Sequence, residues 1–156
     1  MQLGRDLAVV GAPAQRAVQG LCLGGHAHRG TRSSLSAEGD IRLEAYLTLL
    51  ARWNAAYNLT ALRDEAQMRS HHLADCQAVV GPLRRQLGAG AAARILDVGS
   101  GGGLPGVVLA IAEPAWDVTC VDAVGKKAAF VRQVASELKL PNLHAAHARV
   151  EALQAE

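Results

Sequence analysis

Aromatic side chains are scarce in this 156-residue chain: two Trp, two Tyr and one Phe amount to 3% of it. So few rings argue against a pure RNA-binding module built on serial stacking platforms. Cysteine is also sparse. Cys22, Cys76 and Cys120 are an odd, scattered set without C-x-x-C spacing, which argues against a disulfide framework and a zinc site and fits a reducing cytoplasm. Neither sign of charge dominates, since sixteen Lys and Arg against fourteen Asp and Glu leave a net charge of +2. That balance permits a nucleic-acid partner without requiring one. Apolar runs long enough to span a bilayer are missing, so no membrane partner is expected. Metal-ligand spacing is missing too. His71, His72, Asp75 and Cys76 lie close together in sequence, but no second cluster supplies the converging ligands that a metal needs. They read as a polar helix face, and no metal is expected.

Glycine, by contrast, is concentrated in one place. Arg94 to Gly106 reads RILDVGSGGGLPG: a β-branched, apolar strand ending at Val98, then a glycine turn, then a helix opened by Leu104-Pro105. Strand, glycine turn and helix make a cradle for a nucleotide cofactor, with the free N–H groups of the helix start facing the ligand. Two cofactors compete for it. Gly101-x-Gly103-x-x-Gly106 satisfies a dinucleotide fingerprint, with Asp122 about 20 residues on. The same stretch reads Asp97-x-Gly99-x-Gly101-x-Gly103, which resembles the first motif of class I S-adenosylmethionine (AdoMet) methyltransferases. A carboxylate at Asp97 suits the ammonium of AdoMet and would repel a pyrophosphate, so the charge favours AdoMet while NAD stays open.

Around the cradle, the length suits one domain with a real core. Residues 1–38 are rich in Gly, Ala, Arg and Ser and read as a flexible arm. From Asp40 the spacing of Leu43, Tyr46, Leu47 and Leu50 predicts a helix with one buried face, running into a turn at Trp53–Thr60. A second helix is expected from near Asp64 to Gly81-Pro82, so that residues 39–90 form a helical cap. After the turn come a helix over Pro105–Ile111, a strand over Asp117–Ala123, a helix over Lys126–Leu140 and a short strand over Leu143–His147. This βα alternation predicts an α/β fold with a parallel sheet over residues 91–156. Asp122, at the end of its strand, is placed to accept both hydroxyl hydrogens of a ribose, or to cap the following helix.

The segments WNAAYNLTALRD, HHLADC, ILDVGSGGGLPGVVLAI, VDAVGKKAAFVRQVASELKL and ARVEAL occur in that order. Together they resemble the RsmG (GidB) family of bacterial small-subunit ribosomal RNA methyltransferases, over Asp40 to Leu153. The resemblance implies a class I AdoMet methyltransferase (Rossmann-like) fold with an N-terminal helical cap. It implies methylation of the 7-position nitrogen of a guanosine in 16S ribosomal RNA, with the small ribosomal subunit as partner and the cytoplasm as location. Its AdoMet-site positions fall on Asp97, Gly99, Gly101, Gly103, Leu104 and Asp122, with Arg149, Val150 and Glu151 in the loop beside the adenine. Asn58, His72 and Asp75 match family positions near the cleft.

The chemistry asks for no catalytic base, because the guanine nitrogen attacks through an in-plane lone pair and carries no proton. Positioning carries such a reaction. Lys126, Lys127, Arg132 and Arg149 are candidate phosphate contacts. The family continues for several strands past the position of Glu151, so the sheet is expected to be incomplete here, with the far edge of the Arg94 strand unpaired. The chain as it stands is therefore expected to hold most of the cofactor half and not to transfer a methyl group at a detectable rate.

Overall fold

Four parallel strands lie side by side in the order of the sequence, in a computed structural model that describes residues 7–11, 35–60, 73–87 and 90–149. They are β1 (Leu7–Gly11), β2 (Ala93–Val98), β3 (Trp116–Asp122) and β4 (Leu143–His147). The helices are α1 (Ala37–Tyr57), α2 (Leu73–Leu87), α3 (Gly106–Ala112) and α4 (Gly125–Glu137). The alternation β2–α3–β3–α4–β4 is the one the sequence predicts, and parallel neighbours joined through helices are its necessary form. In register, Asp97 stands opposite Cys120 and Asp122 opposite His147. The carboxyl ends of β2 and β3 therefore come together on one edge of the sheet.

Short and apolar throughout, α3 is the spine of the core. Gly106 to Ile111 are all buried, because α3 touches the sheet on one side and α1 and α2 on the other. Against it α1 sets Leu43, Tyr46, Leu47 and Leu50, each no more than 3% exposed. Burying each leucine of that stripe contributes about 1.5 to 3 kcal/mol. Ser36 starts α1 by accepting the N–H of Gly39 at 3.1 Å, a side-chain cap for an otherwise orphaned donor. Asn58 ends it in a left-handed conformation, φ 50°. The helix thus runs past Asn54 through Tyr57. Asn54 is buried, and its Oδ1 accepts the Thr60 N–H at 2.8 Å, so the asparagines shape the end of the helix and the turn that leaves it.

Four expectations need correcting. The flexible arm drawn over residues 1–38 contains β1, and its last two residues already belong to α1. Second, the far edge of β2 is paired, because β1 runs parallel to it from Leu7↔Arg94 to Gly11↔Val98. A five-residue strand gains its meaning from a partner far along the chain, and local composition hides it. Third, α2 passes through Gly81-Pro82 to Leu87. Proline there removes the N–H that would meet the Ala78 carbonyl, but residue 78 is exposed, so water can serve that oxygen. Val80 and Leu83 remain buried, and Arg84 pairs with Glu113 at the end of α3, which holds the extra turn. Fourth, α4 stops at Glu137, with Leu138 as its cap and Lys139 at φ 52°, short of Pro141. The start of the second helix near Asp64 lies outside the described residues.

Candidate functional site

The glycine turn leaves β2 at Val98 and doubles back over the end of β3. Gly99 N–H and Ser100 N–H donate to the Val121 carbonyl, at 2.8 and 3.2 Å, and Gly103 N–H donates to the Ser100 carbonyl at 2.8 Å. Gly99, Gly101 and Gly103 have φ of 71°, 56° and 90°, in the left-handed region where a Cβ is penalised. At Gly99 and Gly101 an added Cβ would meet nothing within 4 Å, so the turn borders open space on that side. At Gly106 it would run into the Cys120 thiol and come 2.8 Å from Asp97 Oδ2. Glycine there lets α3 start directly against the strand ends.

Two carboxylates close the turn from below. Asp97 is 1% exposed; its Oδ2 accepts the Gly106 N–H at 2.9 Å, and the Cys120 sulfur lies 3.9 Å away. Its other oxygen, Oδ1, is buried without a hydrogen-bond partner among the described residues. Burial without compensation pushes this carboxyl up to about 6, against the lowering effect of the Gly106 N–H. Burial likewise pushes the Cys120 thiol well up, which keeps it protonated beside the carboxylate. Asp122 is differently served. Its Oδ2 accepts the Gly101 N–H at 2.9 Å and its Oδ1 the Val124 N–H at 2.8 Å. It thereby ties the glycine turn to the loop before α4. Val124, not Asp122, is the cap residue of α4. A carboxylate has about four acceptor positions, so two remain for an outside donor such as a ribose hydroxyl.

Between these strand ends lies a cleft of about 280 Å³, lined by Val98, Gly99, Val121, Asp122, Ala123, Ala148 and Arg149. Of the predicted site residues, Gly99, Asp122 and Arg149 form its wall, and Gly101 is held against Asp122. Asp97 sits behind the turn. The Leu104 side chain is 8% exposed and belongs to the apolar core, while Gly99 and Ala123 line the cleft. Val150, Glu151, His71 and His72 fall outside the described residues, as do the side chains of Asp75 and Cys76. Asn58 caps α1 and is exposed. Among the described residues, no group of three or more His, Cys, Asp or Glu could hold a metal, and no helix is long and apolar enough to cross a membrane.

The sequence did not single out the hold that α1 has on the turn. The Tyr46 hydroxyl, fully buried, donates to the Gly102 carbonyl at 2.7 Å, and a Cβ on Gly102 would come 2.9 Å from Leu50. Tyr46 reads as one more apolar position of the stripe; a lone hydroxyl inside an otherwise aliphatic face is the signal that marked it. Ala148 and His147 are a second omission. The Ala148 N–H donates to the Asp122 carbonyl at 3.2 Å, and His147 Nε2 lies 3.1 Å from the Ala123 carbonyl oxygen. They fix the outer rim of the cleft.

A parallel α/β sheet with a glycine turn between the carboxyl ends of adjacent strands, and an acid at each end, is the arrangement of the class I methyltransferase fold. The particular family follows from comparison with known proteins. The family model described as rRNA small subunit methyltransferase G matches residues 41–156, and the chain belongs to that family. A protein of Bordetella avium, named Ribosomal RNA small subunit methyltransferase G, is 61% identical over 115 residues, which cover 74% of this chain and 51% of that protein. Its namesake in Bordetella pertussis is 52% identical over 149 residues, 94% of this chain and 62% of that protein. One from Leptothrix cholodnii is 61% identical over 111 residues, 71% and 50% of the two chains. The chain thus spans about half the length of the curated relatives it matches, somewhat more in the second case.

Proposed function

We propose that this chain binds AdoMet in the cleft between β2 and β3 and serves AdoMet-dependent methylation of the 7-position nitrogen of a guanosine in 16S ribosomal RNA. The observation that carries the cofactor reading is the unpartnered, buried Oδ1 of Asp97 beneath the glycine turn. A buried acceptor with no donor is costly, and a ligand that brings a cationic N–H removes that cost. The ammonium of AdoMet is such a donor, whereas the pyrophosphate of NAD brings only acceptors and negative charge. Gly99 and Gly101 leave room for a ligand above the turn, and the free acceptor positions of Asp122 suit ribose hydroxyls.

Bound AdoMet would supply an activated methyl group. The protein's task is then placement: Asp97 would hold the ammonium and Asp122 the ribose, Tyr46 fixes the turn, and no side chain has to remove a proton. Arg149 on the cleft wall, with Lys126, Lys127 and Arg132 on α4, offers positive charge to an RNA backbone. On this reading the partner is the small ribosomal subunit, whose RNA the relatives' names mention, and the working location is the cytoplasm.

Calorimetry tests the cofactor reading directly: AdoMet should bind one site and NAD should not. Binding of NAD in place of AdoMet would overturn it. The acceptor is tested by joining this sequence to the C-terminal strands of its relatives and supplying labelled AdoMet with undermethylated small subunits. Label should appear on the 7-position of one guanosine, and label on another base or on protein would overturn that assignment.

A further inference from the structure

The chain's five aromatic residues divide unequally. Tyr46, Trp116 and Phe130 are at most 1% exposed, and Trp53 is partly buried against the core. Tyr57 stands apart, 48% exposed in the last turn of α1. Its ring is nevertheless held. Trp53 packs on it at 5.3 Å between centroids, tilted 46°, and Trp53 is itself backed by Phe130 at 5.4 Å. Asn58 ends the helix immediately afterwards in a left-handed conformation. Above the ring, at 5.3 Å from its centroid, sits the Lys126 ammonium. Lys126 is exposed and opens α4 two residues beyond Val124, itself 46% exposed, and Ala123 of the cleft wall.

Charge identifies what this corner would receive. The cofactor read into the cleft is a net cation, a sulfonium and an ammonium against one carboxylate, so it can pair with at most one cation at the mouth. Yet Arg149 lines the cleft, Lys126 and Lys127 begin α4, and the first turn of α4 has no acidic residue. Cations beside a rigid, exposed ring fit an anionic ligand with a flat face, which is the chemistry of a nucleotide in a single strand.

We propose that Tyr57 and Lys126 form a nucleobase platform at the mouth of the cleft, where an unstacked base of single-stranded RNA lies on the Tyr57 ring. The proposal rests on the reading of the chain as an RNA methyltransferase and adds a recognition site to it. The incoming base replaces the lysine over the ring, and the flexible Lys126 stem carries the ammonium to a flanking phosphate. The exchange is favourable because an ammonium over an exposed ring is held weakly, while base stacking and a phosphate contact are both gained.

The test measures binding of a labelled single-stranded oligoribonucleotide, and of an RNA duplex, to the full chain and its variants. Tyr57→Leu should weaken the single strand by between about fivefold and a hundredfold, whereas Tyr57→Phe, which keeps the ring, should stay within about twofold. Lys126→Ala should weaken it and lower the salt dependence by the equivalent of about one phosphate contact. Duplex binding should be the same for Tyr57→Leu and the unaltered chain, because paired bases offer no free face. Equal single-strand affinities for Tyr57→Leu and the unaltered chain would overturn the platform, as would absence of single-strand binding altogether. AdoMet calorimetry on the same samples separates this from the cofactor reading: AdoMet bound with no Tyr57 effect on RNA sinks the platform alone, and a Tyr57 effect without AdoMet binding sinks the cofactor reading alone.

Discussion

The carboxyl ends of β2 and β3 carry the same chemical group on adjacent parallel strands, and the two behave differently. Asp97 is enclosed, with one oxygen bonded to the Gly106 N–H and the other idle, and its carboxyl is pushed up to about 6. Asp122 reaches the cleft wall, and each of its oxygens accepts a backbone N–H. One residue stores an unmet demand for a donor; the other is part of the scaffold that shapes the turn. What separates them is position. Asp97 lies beneath the start of α3, where the close approach allowed by Gly106 excludes water, while Asp122 lies on the cleft wall within reach of the Gly101 and Val124 N–H groups.

The sharpest way to break this comparison is to measure stability without ligand, where the two carboxylates should respond with opposite sign. A group whose carboxyl is raised on folding stabilises the fold fully below its unfolded value and loses that contribution as the pH rises through its folded value. For Asp97 that window runs from 3.8 to about 6. Asp97→Asn keeps an acceptor for Gly106 and removes the buried charge, so at pH 8 denaturant unfolding should show a gain of roughly 2 to 3 kcal/mol that vanishes below pH 4. Asp122→Ala should cost about 1 to 2 kcal/mol, because two N–H groups lose their acceptor. Losses in both variants at pH 8 would erase the contrast.

In ligand affinity the two should converge. Asp97→Ala and Asp122→Ala should each weaken AdoMet by about 1.5 to 3 kcal/mol in calorimetry, through lost charged hydrogen bonds. Unchanged affinity in both would mean that the glycine turn has been read in the wrong register. A smaller effect sharpens the distinction again. Below pH 6 Asp97 takes up a proton, so AdoMet affinity in the unaltered chain should fall by up to about tenfold per pH unit, and in Asp97→Asn that slope should disappear. The smallest expected effect is that of Tyr46→Phe, which leaves the buried Gly102 carbonyl without its donor. It should lower stability and AdoMet affinity by about 1 kcal/mol each, and equal affinity with lower stability would reduce Tyr46 to a core residue.

How much of this was legible depended on how far each signal reached along the chain. The run from Arg94 to His147 announces itself because strand, turn and helix each leave a local pattern, and parallel pairing follows from their alternation. The places of Asp97 and Asp122 at the strand ends, and of Gly99 and Gly101 in the turn, were readable for the same reason. Roles that depend on distant neighbours were not. The motif gives Leu104 its place in the turn, while the packing of its side chain in the core depends on residues from other elements. The hydroxyl of Tyr46 finds its acceptor 56 residues away, and the turn of α2 that follows Pro82 is tied down by Arg84 reaching Glu113. No window of sequence contains either pair.

The pairing of Leu7 with Arg94 has a consequence in time. The strands β2, β3 and β4 pair with their neighbours in sequence, whereas β1 must wait until a long intervening stretch of chain has been brought into place. Docking of β1 is then a late event in folding, and its release is among the earliest on the way out. Amide protons shared between β1 and β2 should exchange with solvent long before those between β2 and β3, so that a single sheet contains a slow clock and a fast one.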